Sequence, residues 1–151
     1  MNVVLTIAGS DTSAGAGIQQ DLKTITALGG YGATVITAIT AQNTVGVQGV
    51  LPVSKEMVFL QIRSVMDDLD VKAIKIGMIN DPNTIRIVRQ EVVGCPRIVC
   101  SLSILSSHGG CLMTNEAIHA YRQYLIPICT LLMLKCTDAE ILLGHSISTD
   151  Q

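Results

Sequence analysis

Five short apolar runs, rich in β-branched residues, alternate along this chain with segments whose apolar residues recur at every third or fourth position. The runs predict buried strands, and the recurring spacing predicts helices with one apolar face. The predicted strands are residues 3–8, 33–41, 71–77, 97–104 and 130–134. Strict alternation of strands and helices is typical of a parallel sheet with right-handed crossovers. We therefore predict one α/β domain whose parallel sheet lies between helix layers.

The composition supports a buried sheet and argues against two kinds of partner. Apolar residues make up 48% of the 151 residues and charged residues only 15%, which favours segments buried on both faces. A net charge of −2 with scattered basic residues, and an aromatic content of 3%, argue against nucleic-acid binding. No apolar run reaches the roughly 18 residues of a membrane span, so we expect no membrane partner.

The cysteines predict free thiols in a reducing compartment. There are five, an odd number, and no pair has C-x-x-C spacing, while the three histidines are scattered. This pattern does not indicate a zinc site or a disulfide framework. The start of the chain, MNVVLTIAGSD, has no cationic segment of the kind that opens a signal peptide. We therefore expect a cytoplasmic protein.

Several polar residues predict where the helices begin. Ser54 is a good N-cap, and Asp81 followed by Pro82 combines a capping carboxylate with the preferred first helical residue. Thr137 is predicted to cap a short helix over 138–143 that ends at Gly144. Two further helices are predicted over 18–28 and 115–124, and residues 43–53 are predicted to form a loop or a short edge hairpin.

A glycine-rich loop, residues 9–17, joins the first predicted strand to the first helix. It lacks the GK[ST] of a Walker A loop, and Gln20 stands where a dinucleotide-binding loop has its third glycine. Two interpretations stay open: a tight turn with close packing, or a ligand-binding loop at a helix N-terminus. Asp21, expected in the first helical turn, either interacts with the helix dipole or faces a ligand.

Two further residues are expected at the same edge of the sheet. Gln42 follows the second predicted strand and Met78 follows the third. An amide both donates and accepts hydrogen bonds, which suits a heteroaromatic ring, and methionine offers an adaptable apolar contact. Because open α/β sheets bind ligands at the carboxyl ends of their strands, the convergence of these residues predicts a binding site there.

Three blocks, TIAGSDTSAGAGIQQDLKT, VITAITAQNT and KIGM, resemble the hydroxymethylpyrimidine/phosphomethylpyrimidine kinases of thiamine biosynthesis, members of the ribokinase-like group. The resemblance covers residues 4–78 closely and continues more weakly to Gly144. It implies a Rossmann-like α/β/α sandwich that transfers the γ-phosphoryl group of ATP, with Mg²⁺, to a pyrimidine hydroxymethyl group or its phosphate. The resemblance assigns pyrimidine binding to Gly9, Asp21, Gln42 and Met78. A sugar or pyridoxal kinase of the same group is a less favoured alternative.

The chain departs from this family in its second half. Ser101 and Leu102 replace the Asp-Pro of a VDPVM-like strand end. In the segment that resembles TPN-x-x-E, Lys135 replaces Asn, and Asp138, a candidate Mg²⁺ ligand, replaces Glu. The 151 residues contain no GTGC-like anion hole.

These departures lead to expectations about the whole chain. We expect residues 1–151 to form an incomplete kinase-like domain with little turnover by itself. We also expect an exposed sheet edge that could support a homodimer. The alternative function is a non-catalytic pyrimidine-binding or interaction module.

Overall fold

A computed structural model of the chain describes residues 1–105 and 111–147. Within these ranges six strands form one sheet in the order β3-β2-β1-β4-β5-β6. The strands are β1 Val3–Ser10, β2 Tyr31–Gln42, β3 Val47–Pro52, β4 Val71–Ile76, β5 Ile98–Ser101 and β6 Leu131–Met133. All neighbours pair in parallel except β3, which runs antiparallel to β2. The sheet is therefore parallel with one antiparallel edge, the hairpin that was one alternative for residues 43–53.

Five α-helices lie in the described part of the chain, each after a strand or hairpin as predicted. They are α1 Gly17–Ala27, α2 Lys55–Met66, α3 Pro82–Val92, α4 Asn115–Ala120 and α5 Cys136–Leu143. After α4 the chain continues as a π-helical turn, Tyr121–Leu125, and a 3₁₀ turn, Ile126–Ile128. Residues 115–124 are therefore helical, as predicted, but their second half is a π-helical turn, in which the hydrogen-bond pattern widens ahead of Pro127.

Two of the predicted helix starts are confirmed. The Ser54 hydroxyl accepts a hydrogen bond from the backbone N–H of Met57 at 3.2 Å. The Asp81 carboxylate accepts from the N–H of Thr84 at 2.7 Å, with Pro82 as the first helical residue. The predicted cap at Thr137 is wrong, because α5 starts at Cys136, two residues before the predicted start at 138, and its cap Lys135 makes no side-chain bond.

The two faces of the sheet have different chemistry. Leu5 and Ile7 of β1 belong to a fully buried core cluster that includes residues of α2, α3 and α4. Full burial of a side chain of this size contributes about 1.5–3 kcal/mol. Thr6, between them in sequence, lies on the opposite face, where it bonds to α1. Helices therefore cover both faces, as predicted.

The two edges of the sheet are open. Every residue of β3 is exposed, and Leu131 and Met133 of β6 are each 53% exposed. Beyond the end of β3, the side chain of Gln61 of α2 hydrogen-bonds to the backbone of β2. It accepts from the N–H of Ile36 at 2.8 Å and donates to the Ile36 carbonyl oxygen at 3.1 Å. Among the described helices none has the length and apolar character needed to cross a membrane.

Strand β5 is shorter than predicted. It ends at Ser101 rather than 104, because residues 102–105 leave the sheet to contact α5. This departure places Ile104 and Leu105 against Asp138 in the first turn of α5.

Candidate functional site

The strand order creates a crevice between β1 and β4. After β1 the chain builds β2 and β3 on one side of it, and β4 then joins on the other side. Loops after β1 and β4 thus turn to opposite faces and leave an opening at the carboxyl ends of the two strands, where open α/β sheets bind ligands. The glycine-rich loop and Met78 both lie at this point of the sheet.

Asp11 organises the glycine-rich loop. One carboxylate oxygen accepts from the N–H of Ser13 at 2.8 Å, and the other accepts from the N–H groups of Gly15 at 3.0 Å and Ala16 at 2.8 Å. Burial raises the pKa of the Asp11 carboxyl, but hydrogen bonds from Ser13, Ala16 and Gly15 outweigh it, so the pKa lies below its ordinary value of 3.8. Three N–H groups of the loop, those of Ser13, Gly15 and Ala16, are therefore occupied by its own carboxylate rather than left open for an anion.

Sequence reasoning assigned no role to Asp11. The available signal was an aspartate two residues before Ser13 in a loop of small residues, a pattern typical of an Asx turn. Gly17, at the end of this loop, has a structural role, and its φ is +59°. A Cβ there would lie 2.2 Å from the carbonyl oxygen of Gly9, so the close approach of α1 to β1 requires glycine.

Gly9 and Met78 lie beside each other across the crevice. A Cβ added at Gly9 would be 3.5 Å from Cε of Met78, an ordinary contact distance. The backbone of Met78 is held from β2, since the Thr37 hydroxyl donates to its carbonyl oxygen at 2.9 Å. The end of β1, the end of β4 and the middle of β2 are thereby joined around these two residues.

Gln42 is linked to the same strand ends through Thr40. The Thr40 hydroxyl lies 2.9 Å from the carbonyl oxygen of Ser10 and 3.2 Å from Oε1 of Gln42. The Thr12 hydroxyl in turn donates to the carbonyl oxygen of Thr40. Among the described residues Nε2 of Gln42 has no hydrogen-bond partner, so this N–H₂ group is available to donate to a ligand.

Asp21 lies in the second turn of α1, not in the first as expected. Its Oδ2 accepts from the Thr6 hydroxyl at 2.5 Å and from the Lys75 ammonium at 2.9 Å. The dipole interpretation of Asp21 is therefore wrong, because the carboxylate is turned to the sheet and away from the helix N-terminus. Lys75, the lysine of the KIGM block, was not singled out by sequence reasoning, although a charge within an apolar strand is itself a signal.

Comparison with known proteins gives a family match. The profile of the phosphomethylpyrimidine kinase family matches residues 11–151. The chain belongs to the phosphomethylpyrimidine kinase family. A hydroxymethylpyrimidine/phosphomethylpyrimidine kinase of Rhizobium meliloti is 43% identical over 150 residues, which are 99% of this chain and 56% of that protein. The chain thus spans about half the length of the curated relatives it matches.

Solved structures confirm the predicted ribokinase-like fold of this family. The crystal structure of a phosphomethylpyrimidine kinase from Clostridium difficile superposes with a TM-score of 0.94 at 40% identity, over 99% of this chain and 65% of that one. A pyridoxal kinase from Staphylococcus aureus, solved with AMP-PCP and pyridoxal, gives a TM-score of 0.83 at 28% identity, over 99% of this chain and 54% of that one.

Asp138 lies in the second half of this phosphomethylpyrimidine kinase family member, and its role as a Mg²⁺ ligand stays a prediction. Asp138 is fully buried, and its Oδ1 accepts from the N–H groups of Ile104 at 3.2 Å and Leu105 at 3.1 Å. Its Oδ2 has no partner among the described residues. Asp138 therefore ties the segment after β5 to the first turn of α5.

The described residues do not form a magnesium site by themselves. No cluster of three His, Cys, Asp or Glu side chains suited to a metal occurs within them. Magnesium is usually held by one or two carboxylates together with substrate phosphates and waters. Asp138 offers one carboxylate, whose Oδ1 is committed to two backbone N–H groups and whose Oδ2 is buried without a partner, so any further ligands would have to come from outside the described residues or from phosphates and water.

Two surface grooves lie elsewhere, on the outer helix layer. Their volumes are about 390 and 520 Å³, and both run between α3 and the helical segment that follows Thr114. Arg86 lines both grooves. Neither groove contains Gly9, Asp21, Gln42 or Met78. The predicted binding residues are therefore at the carboxyl ends of the strands and not in these grooves.

Proposed function

We propose that this chain provides the pyrimidine-binding part of an ATP-dependent kinase that phosphorylates hydroxymethylpyrimidine and its phosphate in thiamine biosynthesis. The observation that carries the proposal is the linkage of four positions, three at strand ends and Asp21 on α1, around the crevice between β1 and β4. Gly9 and Met78 adjoin directly, Gln42 is linked through Thr40, and Asp21 through Lys75.

The available groups suit a small substituted pyrimidine. Nε2 of Gln42 can donate to a ring nitrogen, and the free oxygen of Asp21 can accept from an amino or hydroxyl group. Met78 supplies an apolar surface for the ring. The absence of a side chain at Gly9 leaves room beside the Met78 methyl group.

ATP and Mg²⁺ are the proposed co-substrates of the complete reaction. Phosphoryl transfer depends on positioning and on stabilising the charge that develops on the transferred group. Ser101 and Leu102 lack the acidic character of the family strand end, and the 151 residues have no GTGC-like segment. We therefore infer that residues 1–151 alone bind the pyrimidine and catalyse little phosphorylation.

A non-catalytic pyrimidine-binding or interaction module is the second candidate. It is favoured by Asp138, because one oxygen of the carboxylate proposed for metal chemistry is committed to the backbone N–H groups of residues 104 and 105. The exposed edges at β3 and β6 are compatible with a homodimer, which stays a prediction, as does a cytoplasmic location. Sedimentation of the purified chain would test the dimer.

Titration calorimetry and a phosphorylation assay separate these functions. We expect hydroxymethylpyrimidine to bind the purified chain, Asp21→Ala to weaken binding at least tenfold, and phosphate transfer from ATP-Mg²⁺ to stay near background. Robust transfer that is lost in Asp21→Ala would contradict the inference of little turnover. If hydroxymethylpyrimidine and its phosphate both fail to bind, the kinase proposal and the module proposal are wrong together.

A further inference from the structure

Lys75 occupies an unusual place for a lysine. It lies on β4, a central strand between β1 and β5, and both of its strand neighbours, Ile74 and Ile76, are fully buried. Its side chain is 27% exposed. Placing an ammonium group here costs desolvation and side-chain entropy, which a partner must offset. The partner it has is the Asp21 carboxylate.

The strand register brings a second donor to the same oxygen. Thr6 of β1 is directly paired with Lys75 of β4, so both side chains rise from the same face of the sheet under α1. The Thr6 hydroxyl and the Lys75 ammonium bind Oδ2 of Asp21 at 2.5 and 2.9 Å. Oδ1 makes no hydrogen bond within the described residues, and the Asp21 side chain keeps 18% exposure.

The position of the ammonium group connects this triad to the crevice. Nζ of Lys75 lies 3.1 Å from where a Cβ of Gly77 would stand, and Gly77 is the residue immediately before Met78. The N–H of Gly77 donates to the carbonyl oxygen of Ile7 at 2.8 Å, which fixes this backbone against β1. The fixed oxygen of Asp21 is thus held beside the strand ends that carry the binding residues.

We propose that Lys75 is a positioning residue of the pyrimidine site, acting through Asp21. By holding Oδ2 and balancing the charge, Lys75 and Thr6 orient Oδ1 to accept a hydrogen bond from the amino or hydroxyl group of the ligand. Lys75 does not touch the ligand. This inference rests on the proposed pyrimidine-binding function.

A purely structural ion pair between α1 and β4 would give a different result. Its loss would lower the free energy of unfolding, and the folded variants would bind the ligand with an unchanged Kd. A positioning role makes the effects of Lys75 and Asp21 on binding non-additive, because removing the carboxylate leaves the lysine nothing to position. The measurement must therefore compare single and double variants.

The experiment measures the Kd of hydroxymethylpyrimidine by calorimetry, alongside thermal unfolding, for Lys75→Met, Lys75→Arg, Asp21→Asn and the double variant Lys75→Met/Asp21→Asn. We expect Lys75→Met and Asp21→Asn each to weaken binding at least tenfold. We expect the double variant to bind no more weakly than Asp21→Asn and Lys75→Arg to bind within threefold of the parent chain. Lys72→Met is the matched control, since Lys72 is an exposed lysine of the same strand paired with Asp70.

The outcomes distinguish failure of the positioning role of Lys75 from failure of the proposed pyrimidine-binding function. If the parent chain binds hydroxymethylpyrimidine and Lys75→Met binds equally well, the positioning role is wrong and the proposed function stands. Fully additive losses in the double variant also overturn it. If the parent chain binds no pyrimidine, the proposed function fails and the inference fails with it. Should Lys75→Met not fold, Thr6→Val replaces it in the same cycle, with a threefold or larger loss expected only while Asp21 is intact.

Discussion

The carboxyl ends of β1, β2 and β4 form one region of the sheet, and the carboxyl ends of β5 and β6 form a second. The polar residues of the two regions have different roles. In the first region, hydroxyl groups of Thr37 and Thr40 hold the strand ends together and leave Gln42 and Asp21 with groups free to bind a ligand. In the second region, the buried carboxylate of Asp138 binds the backbone of residues 104 and 105. The first region is built like a binding site and the second like a structural joint.

This difference follows the sequence. The first region carries the three blocks that resemble the family, whereas the resemblance predicts departures from the family at Ser101, Leu102 and Lys135 in the second. The fold is nevertheless maintained in both, since β5 and β6 pair in parallel and α5 follows them. Retention of the architecture therefore does not imply retention of the chemistry at every strand end. Four substitutions can test the contrast.

The largest effect is expected at Gly17. Gly17→Ala places a Cβ 2.2 Å from the Gly9 carbonyl oxygen on a residue with φ +59°. Backbone strain and the clash together should destabilise the chain by about 3 kcal/mol or more. Urea unfolding followed by circular dichroism measures this. Gly144→Ala is the control, because Gly144 has φ +76° with nothing within 4 Å, so it should cost only about 1 kcal/mol. Equal costs at the two glycines would show that the close approach is unimportant.

Asp138→Ala should have the next largest effect. It leaves the buried N–H groups of Ile104 and Leu105 without their acceptor, at a cost of about 2–3 kcal/mol. Asp138→Asn retains an acceptor oxygen and should cost less than half of this in the same urea experiment. Binding of hydroxymethylpyrimidine should not change in either variant. Weaker binding at unchanged stability would instead make Asp138 part of the ligand site.

Asp11→Ala should destabilise the chain by about 1–2 kcal/mol, because it removes the acceptor of three loop N–H groups. The Asp11 carboxylate should also make the stability of the chain depend on pH. Its folded-state pKa lies below the ordinary 3.8 of an unfolded aspartate. The stabilisation is therefore complete above pH 4 and is lost as the pH falls through the folded-state pKa. In Asp11→Asn the acid branch of the stability curve should be flatter than in the parent chain. Such a carboxylate titrates between about pH 5 and about pH 2. If the curves of unfolding free energy against pH run parallel for the two proteins over this range, the role assigned to Asp11 is contradicted.

The smallest effect on stability is expected at Gly9. In Gly9→Ala the added Cβ lies 3.5 Å from Cε of Met78, which is ordinary contact, so stability should change by less than about 0.5 kcal/mol. Binding of hydroxymethylpyrimidine should nevertheless weaken about tenfold, equivalent to about 1.4 kcal/mol, because the methyl group fills space beside Met78. Calorimetry on the folded variant measures this. Unchanged affinity would remove Gly9 from the proposed site.

Much of the fold was predictable because it depends on local signals. Val3–Ser10 is a β-branched run, and Asp81 with Pro82 is a local start signal that tertiary contacts did not override. Less local features were predicted poorly. The end of β5 depends on the contact of residues 104 and 105 with Asp138, more than 30 residues away, and α5 begins at Cys136 rather than at the predicted 138.

The candidate site divides in the same way. Gly9, Asp21, Gln42 and Met78 were identified from motifs, and their role in binding stays a prediction. Asp11 and Lys75 were missed, because their importance comes from partners that are apparent only in the folded chain. Asp21 was expected in the first turn but lies in the second, because α1 begins at Gly17, one residue before the predicted start, where Gly17 closely approaches Gly9.

The amino-acid sequence by itself determined the alternation of strands and helices, the glycines that allow close approach, and the family to which the chain belongs. Hydrophobic periodicity and backbone preferences are properties of short segments, so they can be recognised without a structure. Only the tertiary structure decided that β4 lies beside β1, with Thr6 opposite Lys75 and both under Asp21. Strand order and register arise from packing between distant segments, and the hydrogen bonds that orient a carboxylate exist only once that packing is complete.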